Sequence, residues 1–312
     1  MVKGIVKYIS QFVITLVGIS FLTFCLTYLA PGDPAMMLLE SGDRIVSQQE
    51  LDEVRAELGL DKPFLVRYAD WAINAVQGDL GMSYSAKIPV VDRMLESLPG
   101  TLMLAATSTI LIILYAVPAG IISAINQNKK IDYILRSLSF VGVSMPTFWL
   151  GLILIYIFGL KLGLVPIASS KISFSGVILP ATTMAVVVGS KYMRQVRLVI
   201  LEEMQKDYVI GARSRGIAEW KILFGHILPN ALLPLITLLG VLVGYLLGGV
   251  TVIEMVFAWP GLGNMAVYAI TMRDYPLVQG FVLWVAVGFM IINALVDVSY
   301  RLLDPRLKRG QQ

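Results

Sequence analysis

Long apolar runs alternate with short polar segments along almost the whole chain. Six stretches carry enough apolar residues to cross a membrane as a helix, at about 9–30, 101–125, 134–160, 177–197, 231–253 and 277–300. A helix needs roughly 20 such residues to cross a hydrocarbon layer about 30 Å thick. The runs do not alternate every second residue, as the strands of a membrane barrel would. The pattern therefore predicts an all-α membrane protein with about six transmembrane helices.

Composition agrees with a chain that is solvated mainly by lipid. Hydrophobic residues make up 57% of the sequence and charged residues 15%, whereas an ordinary soluble domain is roughly 25% charged. The first apolar run follows Lys3 and Lys7 but is longer than the core of a secretory signal, which favours an uncleaved anchor. The single cysteine, Cys25, excludes a disulfide within the chain.

The positions of the basic residues predict the orientation of the helices. With the N-terminus inside, the N-terminal tail, the 126–136 loop, the 191–226 region and the tail from Arg301 all face the cytoplasm. Together they hold 16 Lys and Arg against 6 Asp and Glu. Because cytoplasmic loops carry an excess of Lys and Arg, this arrangement places both termini in the cytoplasm.

The outer segment 31–100 is too long for a hairpin and predicts a small extracytoplasmic subdomain. Ser47 and Glu50 have the spacing of a capping box, with Leu51, Val54 and Leu58 on one helical face. Arg67–Gln77 is a second amphipathic candidate. Two interpretations of the subdomain remain open: a cap that stabilises the helices, or a landing surface for a soluble partner.

Within the apolar runs, small residues stand out more than charged ones. Gly240, Gly244 and Gly248 repeat every four residues, a spacing that lets another helix approach closely, so we expect helix packing or a pore-lining role. Ionisable groups at mid-membrane would indicate an ion relay. Glu254 and Asp297 instead fall near predicted span ends, where an interfacial position or a helix cap explains them, which disfavours an ion-coupled transporter.

Signals of an enzyme are weak. The sequence has no G-x-x-x-x-G-K-[ST] loop, so the chain does not bind ATP in that way. A hydrolase would have to use His226, the one histidine, which has no acidic residue nearby in the sequence. His226 and Cys25 lie far apart in the chain, so a metal site is not expected either.

The polar inner segment from Asp207 to Gly225 has the apolar spacing of a helix. Its predicted buried positions are Tyr208, Ala212, Ile217, Trp220 and Phe224. Gly216 interrupts the pattern and Pro229 predicts a helix stop. We therefore expect two short helices joined at Gly216 along the inner membrane face. The segment is either an ordinary amphipathic connector or a contact surface for another protein.

This segment resembles a motif of the permease subunits of bacterial ATP-binding-cassette importers, in the branch for dipeptides, oligopeptides and nickel. The family pattern is E-A-A, three residues, Gly, nine residues, I-x-L-P. Ala212, Gly216, Leu228 and Pro229 match it, Ile210 and Gly211 replace E-A, and His226 replaces isoleucine, departures similar to those of the peptide branch. Further similar blocks are LAPGDPA at 29–35, ELGLDKP at 57–63, GDLGMSY at 78–84, GVSMPTFWLGL at 142–152, FAWPGLG at 257–263 and RDYPLVQG at 273–280.

The resemblance implies a division of the chain and a set of partners. It implies a tail and first helix at 1–30, the subdomain at 31–100, a permease core at 101–300 with a coupling loop at 201–229, and a cytoplasmic tail at 301–312. The expected partners are a second related permease, two cytoplasmic ATPases that hold ATP and Mg²⁺, and an extracytoplasmic substrate-binding protein. No cofactor on this chain and no nucleic acid are expected, and the location implied is the bacterial inner membrane.

Roles for single residues also follow from the resemblance. The coupling loop includes Tyr208, Ala212, Arg213, Arg215, Gly216, His226, Leu228 and Pro229. In it, Gly216 would permit a bend, Arg213 and Arg215 would meet the ATPase, and Pro229 would set the entry angle of the fifth span. Trp259, Pro260, Gly261 and Tyr275 are candidates for a pathway or outer gate.

The cargo implied by the resemblance is a dipeptide or oligopeptide. The first alternative is the same class of importer for nickel or a metal chelate. A less favoured alternative is an ion-coupled secondary transporter.

Overall fold

The computed structural model describes residues 2–39 and 47–303, where the regular secondary structure is helical. The first seven helices are α1 (Val2–Leu29), α2 (Pro34–Leu39), α3 (Gln48–Glu57), α4 (Phe64–Val76), α5 (Val90–Ile125), α6 (Lys130–Ser144) and α7 (Thr147–Leu154). The others are α8 (Phe174–Met204), α9 (Asp207–Ser214), α10 (Glu219–Ile222), α11 (Leu228–Gly249), α12 (Thr251–Val256), α13 (Leu262–Thr271) and α14 (Tyr275–Leu303). Two π-helical segments, Ile155–Lys161 and Leu223–Ile227, continue α7 and α10.

Five helical stretches in the described ranges are long and apolar enough to cross a membrane. They are Ser10–Leu29, Val90–Ile125, Phe174–Met204, Glu219–Gly248 and Tyr275–Ser299. The pair Lys130–Ser144 and Thr147–Lys161 makes a sixth if it counts as one span. This confirms the prediction of an all-α membrane protein with about six spans.

The third predicted span, 134–160, is wrong as a single straight helix. Its two halves are bent by 100°, because α6 ends before Met145, which has an extended backbone with ψ of 129°. Pro146 follows and disfavours the helical conformation of the residue before it. Hydropathy is uniform across the break and so does not reveal it.

The described chain forms two compact units. The first unit holds the described residues of 1–100 and 261–290, and the second holds those of 101–260 and 291–312. In the first unit, the predicted capping box of α3 is confirmed, since Ser47 and Glu50 cap each other's backbone N–H groups. The second amphipathic candidate is α4, where Tyr68 and Trp71 pack on Phe24 of α1 with ring centroids 5.5 and 6.0 Å apart.

The second unit contains the larger apolar core, built around α5, α8, α11 and α12. Close packing there depends on small residues. A Cβ at Gly120 would lie 2.8 Å from the carbonyl oxygen of Met193, and a Cβ at Gly142 would lie 2.2 Å from Ser190 Oγ. Helices α6 and α8 run antiparallel, because Asp132 contacts Arg197 while Ser139 contacts Ser190.

Candidate functional site

The predicted inner segment consists of two short helices, α9 and α10, joined at Gly216, as the sequence indicates. Gly216 has a φ of +73°, a left-handed conformation that glycine adopts without steric cost. Its N–H donates to the carbonyl of Arg213 at 2.9 Å, and Ile217 N–H donates to Ala212 at 3.2 Å. These bonds close the end of α9 in the manner of a glycine C-cap.

The burial predicted for this segment is partly wrong. Ala212 is buried and Ile217 half-buried, but Tyr208 is exposed, and Trp220 and Phe224 are 63% and 64% exposed. The residues that point inward are Val209, Ala212, Ile222 and Ile227. The turn at Gly216 resets the helical phase, and the π segment adds a residue per turn, so a single helical period does not describe the segment.

Arg213 is engaged within the chain. Its Nε and Nη2 donate to the two carboxylate oxygens of Glu219 at 2.8 and 3.1 Å, across the turn at Gly216. Arg215 donates from Nε to the carbonyl of Gly211 at 3.2 Å. The exposed Arg213–Glu219 pair therefore links α9 to α10 across the turn.

The helix stop predicted at Pro229 is wrong. The helical run from Glu219 continues through the π segment into α11, with Pro229 in the first turn of α11. The π segment ends just before α11, and Pro229 lies in the first turn of α11, a position where the missing N–H of proline is tolerated. The side-chain amide of Asn230 donates to the carbonyl of His226 at 2.7 Å. The His226 side chain is exposed, and Leu228 is half-buried.

A buried carboxylate holds the joint between α8 and α9. Glu203 is 5% exposed and accepts hydrogen bonds from the Tyr208 hydroxyl, at 2.6 Å, and from Lys206. Burial and then the hydrogen bond to Glu203 raise the pKa of Tyr208 to about 12. The hydroxyl therefore stays neutral and continues to donate at physiological pH.

A second buried carboxylate joins α5, α6 and α8 within the second unit. Asp132 is fully buried and accepts from Arg197 Nε at 2.8 Å and Nη2 at 2.9 Å. Ser123 Oγ donates to it at 2.5 Å and Asn128 N–H at 3.0 Å. Such bidentate, fully satisfied pairs hold geometry firmly. Because α8 leads directly to α9, this cluster anchors the helix that precedes α9 and α10.

The glycine repeat lies in α11. A Cβ at Gly240 would lie 2.1 Å from Cγ2 of Val296 in α14, so the two helices approach closely there. Gly244 is buried and Gly248 half-buried.

The gate candidates are buried or half-buried. Trp259 is fully buried in the second unit, and its backbone N–H donates to the backbone carbonyl of Glu254 at 2.7 Å. Glu254 is also fully buried, and Thr101 Oγ1 donates to its Oε1 at 2.7 Å. Glu254 lies in the first turn of α12, with its side chain in the protein core.

The remaining gate candidates lie in and beyond the turn that follows α12. Pro260 and Gly261 connect α12 to α13, and Gly261 is the residue before the first turn of α13. Tyr275 begins α14, and its hydroxyl donates to the carbonyl of Pro31 at 3.5 Å within the first unit.

Two of the sequence blocks meet at a carboxylate that sequence analysis missed. Asp274 is fully buried in the first unit. Its Oδ2 accepts from Ser83 Oγ at 2.6 Å, from Ser85 N–H at 2.9 Å and from Ser85 Oγ at 2.7 Å. The block GDLGMSY thus packs on the block RDYPLVQG. In ranges 2–39 and 47–303, no group of three or more His, Cys, Asp or Glu is arranged to hold a metal.

Comparison with known proteins covers nearly the whole chain. Residues 116–309 match the family described as binding-protein-dependent transport system inner membrane component, and residues 1–105 match the N-terminal region of such components. The glutathione transport system permease protein GsiC of Escherichia coli (strain K12) is 35% identical over 308 residues, 99% of each chain. The probable D,D-dipeptide transport system permease protein DdpB of the same strain is 35% identical, covering 96% of this chain and 95% of its own.

Solved structures show the same fold at lower identity. An inward-facing conformation of the MetNI methionine ABC transporter has a TM-score of 0.55 at 17% identity, covering 68% of this chain and 96% of the other. An amino acid ABC transporter crystallised with histidines has a TM-score of 0.54 at 16% identity, covering 68% and 94%. The chain belongs to the family of binding-protein-dependent transport system inner membrane components and is a permease of an ABC importer.

Proposed function

We propose that this permease carries short peptides across the bacterial inner membrane. The observation that supports this cargo is the 35% identity, over nearly the full length, to permeases named for glutathione, which is a tripeptide, and for D,D-dipeptides. Both termini face the cytoplasm in this proposal, on the evidence of the inner excess of Lys and Arg.

The partners in this proposal are a second related permease, two cytoplasmic ATPases and an extracytoplasmic binding protein. ATP and Mg²⁺ bind the ATPases, and this chain supplies the mechanical link through α9 and α10. Trp220 and Phe224 expose large apolar surfaces there, which suits burial against another protein. The contact of Tyr208 with the buried Glu203 links this segment to α8, so that ATPase closure is transmitted as a rigid-body movement, and the Arg213–Glu219 pair adds a link between α9 and α10.

A pathway role for Trp259, Pro260, Gly261 and Tyr275 stays a prediction. Trp259 has no exposed surface in this structure, so contact with cargo requires a rearrangement around α12.

The test is purification of the tagged chain with its partners in mild detergent, followed by reconstitution and peptide uptake. Trp220→Ser with Phe224→Ser should reduce ATPase copurification and peptide-stimulated hydrolysis. Phe174→Ser is the matched control, because Phe174 is 86% exposed at the other end of α8. Wild-type coupling in the double variant would refute the role of α9 and α10. Uptake of nickel without uptake of di- or tripeptides would refute the cargo.

A further inference from the structure

A cleft lies in the first unit, whereas α9 and α10 belong to the second unit. It lies among the end of α1, the turn after it, α3, α4 and the start of α14, and has a volume of about 770 Å³. Ligand sites typically occupy roughly 300–1,000 Å³. We call it the α1–α4 cleft.

Most charges in the α1–α4 cleft cancel in pairs. Arg55 donates to Asp33 from Nε at 2.8 Å and Nη2 at 2.6 Å. Lys62 donates to Asp70 at 2.8 Å. The first pair links α3 to the turn after α1, and the second links the residues before α4 to α4 itself. They leave the other charged groups of the cleft to contact a ligand.

Of the cationic side chains that line the cleft, Arg67 is the one outside these two ion pairs. Among the described residues it forms no ion pair, and its guanidinium lies 5.6 Å from the ring centroid of Tyr28. It projects from α4 one turn before Trp71, and both line the cleft. A half-buried guanidinium beside aromatic rings is a strong position for a carboxylate, which it can bind in a bidentate manner.

Two carboxylates that line the cleft, those of Glu57 and Asp61, have no ion pair within the described ranges. Glu57 ends α3 and Asp61 follows in the turn before α4, and both line the cleft. The cleft therefore presents an available cation on α4 and available anions at the α3–α4 corner. This arrangement complements a ligand that carries both charges.

Aromatic and amide groups complete the walls. Trp71, Tyr84 and Tyr275 line the cleft, and Gln279 donates to Thr27 at 2.8 Å at its α1–α14 side. Burial raises the pKa of Tyr84 to about 12 despite the opposing charge of Arg67. Its hydroxyl is therefore neutral at physiological pH and can donate to a carboxylate near Arg67.

We infer that the α1–α4 cleft binds a small zwitterion, with its carboxylate at Arg67 and its ammonium group at Glu57 and Asp61. Taking this zwitterion to be a short peptide with free termini rests on the proposed function. The cleft then holds cargo on the permease itself, apart from the extracytoplasmic binding protein.

The test measures peptide binding to the purified transporter complex without its binding protein. The probes are the dipeptide Ala-Phe, its C-terminal amide and its N-acetyl form, titrated by calorimetry. Ala-Phe should bind, and either modification should weaken binding roughly tenfold or more, since each removes a charge-assisted contact. Arg67→Gln should weaken Ala-Phe to the level of the amide and make the two bind alike, with Arg67→Lys intermediate.

Arg93→Gln is the matched control, because Arg93 pairs with Glu96 at 2.8 Å and does not line the cleft. Equal binding of Ala-Phe to wild type and Arg67→Gln would overturn the inference, as would equal binding of peptide and amide to the wild type. If binding is equal in either of these comparisons while peptide uptake is normal, the inference about the cleft is refuted and the proposed function is not. Arg67-dependent binding without any peptide uptake would refute the proposed function and leave the cleft site standing.

Discussion

Arg197 donates hydrogen bonds to both carboxylate oxygens of Asp132, from Nε at 2.8 Å and from Nη2 at 2.9 Å, and Asp132 has no exposed surface. Asp132→Asn keeps the shape of the side chain but leaves the guanidinium without a counter-charge. Removing one partner of a buried pair costs roughly 3–5 kcal/mol. We expect that loss in the thermal or denaturant unfolding of the purified protein.

The control for this prediction is Asp52→Asn, the same change in a pair with Arg55 where Asp52 is 61% exposed. Exposed pairs contribute about 0–1 kcal/mol. Replacing both buried partners, Asp132→Leu with Arg197→Met, should recover part of the stability. A stability loss for Asp132→Asn no larger than that for Asp52→Asn would contradict the importance of the cluster.

Substitution by alanine should have opposite effects on stability at Gly216 and at Gly211. Neither has an atom within 4 Å of an added Cβ, so only the backbone decides. Gly216→Ala places alanine at a φ of +73°, which costs roughly 1–2 kcal/mol. Gly211→Ala lies within α9 and should gain roughly 0.5–1 kcal/mol. The free energy of unfolding and the rate of coupled ATP hydrolysis are measured for both variants. Similar effects of the two substitutions would argue against the left-handed turn at Gly216.

Because Gly240 lies against Val296, a smaller residue at position 296 should restore the stability that a larger residue at position 240 removes. Gly240→Ala puts a methyl group 2.1 Å from Val296 Cγ2, and overpacking of this kind costs roughly 1–3 kcal/mol. Val296→Ala in the same chain removes the clash and should restore much of the loss. Gly18→Ala is the control, since no atom lies within 4 Å of its added Cβ. Additive effects of the two substitutions in a double-mutant cycle would exclude a direct contact.

Tyr208→Phe removes the hydroxyl that donates to Glu203. A hydrogen bond to a charged group contributes roughly 1.5–3 kcal/mol, and we expect the lower end because the ring is partly exposed. Burial and Glu203 raise the pKa of Tyr208 to about 12. Its contribution is therefore complete below about pH 10, the pKa of an unfolded tyrosine, and is lost as the pH rises through about 12.

Hydrogen exchange of the amides in α9 measures the opening of this joint at neutral pH. Exchange in Tyr208→Phe should be faster by about tenfold. The exposed Tyr268 provides the control as Tyr268→Phe. Unchanged exchange in α9 would show that Lys206 alone holds Glu203.

Local signals in the sequence were sufficient for several elements and insufficient for others. The capping box at Ser47 and the turn at Gly216 depend on neighbouring residues, so their spacing predicts them. The outward positions of Trp220 and Phe224 depend on a phase change within the segment, which a periodic pattern does not contain. The Asp132–Arg197 pair joins residues 65 positions apart, and only tertiary packing brings them together.

The bond between Ser83 and Asp274 joins residues 191 positions apart. A ribosome that adds about 5–20 residues per second makes Ser83 roughly 10–40 s before Asp274. Throughout that interval the first hundred residues of the nascent chain lack the segment 261–290 that completes their unit. The N-terminal part of this permease therefore lacks a part of its compact unit until residues 261–290 have been synthesised, and in a chain truncated before Asp274 the buried Ser83 has lost this partner.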